Sequence, residues 1–180
     1  MSTTLSITTP TEGVNFNATY TAYDQTAAIS ATNLPENPGP PFTVGTTVKG
    51  TGESEWIFVK ASSAIAAGDA CQITSLTALA APITTTNGLL GNMVGWAQVA
   101  IASGAYGWLQ RAGACQNITV LASAAPNVLL YTTATGGAID DATTTGVKLI
   151  SGVIITATNG AATAAVAGTL NFPVVGAATT

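Results

Sequence analysis

The chain has 180 residues, of which 7% are charged, with four basic and eight acidic side chains, a net charge of −4 and no histidine. An ordinary soluble domain carries about 25% charge, and nucleic-acid binding needs a basic footprint, whereas Lys49, Lys60, Arg111 and Lys148 stand singly. Without imidazole there is no Ser-His or Cys-His nucleophile pair, no histidine metal ligand and no proton switch near neutral pH, so neither an enzyme nor a cofactor is expected.

The first 52 residues differ from the rest. Residues 1–13, MSTTLSITTPTEG, have neither a basic n-region nor an apolar h-region, so no secretory signal is expected and Cys71 and Cys115 are expected to be thiols. Five of the eight prolines (Pro10, Pro35, Pro38, Pro40 and Pro41) fall here, and residues 33–52 are dense in Pro and Gly, which disfavours helix and sheet ladders alike. Residues 1–52 therefore read as an extended arm, with one possible strand at residues 14–23, VNFNATYTAY.

From residue 53 to 180 the chain reads as a β-domain. Short runs rich in Thr, Val, Ile and aromatics predict strands at 55–61, 69–74, 93–102, 106–113, 117–122, 127–133, 147–158 and 164–175. Turn signals separate them at Ala67-Gly68-Asp69, Asn87-Gly88, Gly136-Gly137 and Asn159-Gly160. The fold class expected is all-β, a compact β-sandwich or small β-barrel. Helix signals are weak, because Gly68 and Pro126 cut short the two alanine-rich candidates. The stretch from Leu89 to Leu109 is uncharged, but Asn92, Gln98, Ser103 and four glycines interrupt it; it reads as two strands around a Ser-Gly turn, not as a membrane span.

Few constellations suggest chemistry. Asp140-Asp141 lacks the staggered oxygen ligands of a calcium loop and reads as a solvated acidic turn. Glu53 and Glu55 share one face of an extended chain without general-base context. Asn17 and Asn117 begin glycosylation sequons that mean little without a signal sequence. The aromatics carry more information: Phe42, Trp56, Phe58, Trp96, Tyr106 and Trp108 are either core or interface anchors. A surface of hydroxyls and methyls is cheaper to bury than one of charges, which suits a chain covered by neighbours in a permanent assembly.

Several runs resemble the small head proteins of tailed bacteriophages. They are residues 55–61 (EWIFVKA), 66–70 (AAGDA), 95–100 (GWAQVA), 103–110 (SGAYGWLQ) and 130–134 (LYTTA). The likeness spans about residues 55–175 and is similar to capsid decoration, or cement, proteins. It implies a β-tulip-like domain that trimerises on the outer capsid surface at three-fold positions. The implied partners are the major capsid protein and sister copies, with neither nucleic acid nor membrane involved, and the implied location is the virion, after assembly in the host cytoplasm. The arm is longer than in the smallest decoration proteins. A tail or fibre component, or a β-sandwich adhesin, is the rival reading.

Overall fold

The computed structural model describes residues 14–21 and 40–180. The remainder of the expected arm, and the end of its expected strand at Ala22 and Tyr23, lie outside the described residues. Among the described residues the protein is all-β, with no helix.

Ten strands form one sheet: β1 (Thr47–Lys49), β2 (Glu55–Ala61), β3 (Ala70–Ile73), β4 (Leu79–Pro82), β5 (Met93–Ala97), β6 (Tyr106–Val120), β7 (Leu130–Thr132), β8 (Ile139–Asp140), β9 (Lys148–Ile155) and β10 (Ala164–Ala178). Their order is β1-β2-β4-β3-β5-β10-β6-β8-β7-β9, and further pairings turn the sheet back on itself. One circuit of hydrogen-bonded neighbours runs β2-β4-β3-β5-β6 and returns to β2. A second runs β6-β8-β7-β9-β10 and returns to β6. The two circuits share β6, whose first half pairs β2 and whose second half pairs β10.

Strand alternation fills these circuits. Ile57, Val59 and Ala61 of β2 and Leu109 of β6 point into the first circuit, beside Cys71, Ile73, Ala80 and Ile101. Cys115, Ile118 and Val120 of the same β6 enter the second core with Leu130, Ile139, Ile150, Ile155 and Leu170. β5 is a wall between the two, with Val94 and Trp96 in the second core and Met93 and Ala97 against the first. Strands buried on both faces read as continuous apolar runs, which is why EWIFVKA and MVGWA lack polar alternation.

The observed strands depart from the expected ones in places, for physical reasons. The strands expected at 106–113 and 117–122 are one 15-residue strand. Gly113, at φ +87°, stays paired opposite Leu170 and does not break the strand, and a Cβ on it would lie 2.8 Å from the Ser54 Cα. The strand expected to run to Ala102 stops at Ala97, leaving an isolated bridge between Ile65 and Ile101. β1, β4 and β8 were not expected: each is two to four residues long, and tertiary pairing, not propensity, makes them strands. β1 brings the sheet forward to Thr47, ahead of residue 53. The marked turns do form turns or caps. In the last, buried Asn159 donates from Nδ2 to the carbonyls of Val120, Leu121 and Ala162 at 3.2, 2.7 and 2.8 Å.

Asp69 closes the Ala67-Gly68 turn, its carboxylate accepting the Ala66 N–H at 2.8 Å. Burial pushes its pKa up, and that one hydrogen bond opposes the shift only in part. A carboxyl that binds its proton more tightly folded than unfolded contributes most at low pH, and loses that contribution as pH rises through its folded pKa. Asp69→Asn keeps an acceptor for Ala66 and removes the titration. Urea denaturation from pH 4 to 7 should therefore show the stability difference moving steadily in favour of Asn; movement the other way would show the carboxylate to be stabilised by its site.

Candidate functional site

Five of the six aromatics singled out from sequence come together on the outer side of the β2–β6 ladder. Trp56 and Phe58 alternate with the inward residues of β2, and Tyr106 and Trp108 do the same on β6, with Phe58 directly opposite Trp108. Their ring centroids lie 5.0 Å apart, and Phe42 leans edge-on against both, at 5.5 Å from Phe58 and 5.1 Å from Trp108. The Lys60 ammonium sits 5.5 Å over the Tyr106 ring.

An early piece of the chain seals this face. Phe16 stacks on Trp56 with centroids 4.6 Å apart and planes 8° from parallel, and meets Trp108 edge-on at 5.5 Å. Tyr20 and Tyr106 exchange both backbone hydrogen bonds, at 2.8 and 2.7 Å, as one rung of an antiparallel ladder. Trp56, Phe58 and Trp108 are thereby buried by their own chain, while Phe42 and Tyr106 are half-buried. The sixth aromatic, Trp96, is fully buried in the second core, away from this cluster. The indole N–H groups of Trp96 and Trp108 have no hydrogen-bond partner among the described residues.

The exposed contact face lies elsewhere, where β9 and β10 lose register. Between Leu170↔Val153 and Val174↔Ser151, β10 places Asn171, Phe172 and Pro173 against the single residue Gly152 of β9. Gly152 has φ +80°, and a Cβ there would collide with the Asn171 carbonyl oxygen. Phe172 has φ +47°, a strained conformation for a bulky residue, and its ring is 46% exposed. The bulge thus holds an aromatic outward at a conformational cost. On one side, a groove of about 620 Å³ runs between Val128, Leu129 and β9, with Ile154 on its rim. On the other, a cleft of about 610 Å³ is lined by Lys49, Glu53, Glu55 and Phe172. Thr169 and Asn171 line both.

The Arg111 guanidinium lies 5.4 Å over the Phe172 ring. Burial lowers its pKa, Glu55 opposes that shift, and its Nε has no hydrogen-bond partner among the described residues. Lys49, Glu53, Glu55 and Arg111, four of the chain's twelve charged side chains, thus gather around Phe172 and its cleft. The acidic pair does structural work: Asp141 accepts the Ala125 N–H at 3.0 Å and Asp140 accepts the Asp141 N–H at 2.9 Å. Cys71 and Cys115 are buried thiols, with Cys115 pushed up to about 11 chiefly by burial. No group of three or more Cys, Asp or Glu among the described residues could hold a metal ion, and no helix among them is long and apolar enough to cross a membrane.

Neither a family model nor a characterised protein matches the sequence. Phe172, Ile154, Val128 and Leu129 escaped sequence reasoning because they sit inside ordinary strand-like runs. The one available signal was Asn171-Phe172-Pro173, where a proline interrupts a run otherwise suited to a ladder.

Two substitutions separate the sealed cluster from the exposed face. Phe16→Ala should cost about 3 kcal/mol in urea unfolding and red-shift tryptophan emission, as buried rings lose their cover; an unchanged spectrum would mean the segment does not seat. Phe172→Gly removes a ring but also relieves the backbone, so stability should move by less than about 1 kcal/mol. A loss comparable with Phe16→Ala would make Phe172 part of the core.

Proposed function

We propose that the protein is a structural component of a tailed-phage head, a decoration or cement protein that binds the outer surface of the assembled shell as a homotrimer. The observation that carries this reading is the bulge in β10 that holds Phe172 outward at positive φ, on a body with few charged side chains. A strained, exposed aromatic beside apolar neighbours is a contact anchor. The resemblance of residues 55–175 to phage head proteins supplies the setting. On this reading the two linked circuits are a β-sandwich or barrel of tulip type, the Phe172 face closes the trimer, and the arm with one end of the body grips capsid subunits.

The mechanism is linkage. A protein that binds only the mature shell stabilises it by mass action, and copies repeated over a closed lattice multiply modest contact energies. Uncharged hydroxyl and methyl surfaces serve this well, because burying them costs far less than burying ions.

Shells purified without this protein should rupture at lower temperature. Wild-type protein added back should restore their resistance, and Leu129→Asp/Ile154→Asp should fail to restore it while remaining folded. Shells equally heat-resistant with and without the protein would remove the cementing role. Copy number in purified particles separates the rival: hundreds per particle place it on the shell, whereas a handful place it on the tail.

A further inference from the structure

The segment Val14–Thr21 rejoins the body at Pro40 through 18 residues, 22–39. At about 3.3 Å per residue that span reaches up to about 60 Å, farther than the roughly 40 Å diameter of a body this size. Its seat on Trp56, Phe58 and Trp108 is a cluster separate from both circuit cores. The contacts are ring stacking and one antiparallel rung, and they are the same whichever copy supplies the segment. The exposed face, by contrast, is small. Four partly exposed side chains, Val128, Leu129, Ile154 and Phe172, offer on the order of a few hundred Å², against about 800 Å² per partner in a stable interface. A homo-oligomer closed there needs further buried area, and the Val14–Thr21 segment with its aromatic seat provides it.

We propose that in the assembly Val14–Thr21 of one copy seats on the aromatic face of its neighbour, with Phe16 stacked on the neighbour's Trp56 and Tyr20 paired with its Tyr106. The inference rests on the reading of the protein as a homotrimer and names what holds the copies together. Exchange of an identical element creates no new surface chemistry, so it joins copies at little cost. Tethering also makes each further seating effectively intramolecular, which strengthens the ring as a whole.

Tyr20 and Tyr106 form a hydrogen-bonded antiparallel pair, whose Cα atoms in such a rung lie about 5.5 Å apart, within disulfide reach. The native thiols are buried and do not compete. Full-length Tyr20→Cys and Tyr106→Cys variants, unfolded, mixed and refolded together, should on oxidation give a covalent product of twice the chain mass. Neither variant alone should give it by this pairing. No such product in the mixture, while the double variant Tyr20→Cys/Tyr106→Cys forms its bond within one chain, would overturn the exchange. No bond in any of these proteins would overturn the seating itself. Sedimentation of the unaltered protein then tells the two readings apart: a three-chain mass with only within-chain bonding keeps the trimer and removes the exchange, whereas a single-chain mass removes both.

Discussion

The antiparallel ladder between β2 and β6 is the constraint on which the rest of the structure depends. It sets Ile57 opposite Leu109 on one face and Phe58 opposite Trp108 on the other. The first face closes a circuit around small aliphatic side chains, and the second collects the aromatic cluster. Because β6 continues past Gly113 to Val120, the same strand then becomes a wall of the second core. A register slip of one residue would exchange the faces, placing rings where Ile101 and Ala105 leave room only for small groups, so the alternation itself enforces the register.

Much of this was legible in the chain. Thr, Val and Ile runs with Gly and Asn turns gave the all-β class, and EWIFVKA gave β2 at its observed bounds. The reading was blind where non-local pairing decides. Leu79–Pro82 is a strand because it lies parallel to Lys60 and Ala61 and antiparallel to Cys71–Ile73, not because Leu-Ala-Ala-Pro favours extension. Gly113 looked like punctuation, yet its positive φ lets one strand bend without ending. Sequence marks the six aromatics but does not say what covers a ring. That the cover for Trp56 and Trp108 comes from Phe16, 40 and 92 positions away, is a property of the fold.

Scarcity of charge and local strain are the two features on which the proposed function rests. The charges the body does carry are used with economy: Asp69, Asp140 and Asp141 cap turns, and Lys49, Glu53, Glu55 and Arg111 frame one cleft. In that cleft the chain holds Phe172 at positive φ, in a bulge from which the ladder with β9 resumes on both sides. Strain of this kind is retained where a side chain must be presented. Presentation of an aromatic to a protein surface, by a body that is itself easily buried, is what a cementing subunit needs.

The central claim is that this fold occupies the outside of a phage shell in symmetric groups of three. A cryo-EM reconstruction of purified particles tests it most directly. The account requires density matching the two-circuit body at the three-fold and quasi-three-fold positions, with the Phe172 bulge turned toward a sister copy. A mature shell bare at those positions, in particles shown by mass spectrometry to contain the protein, would contradict it.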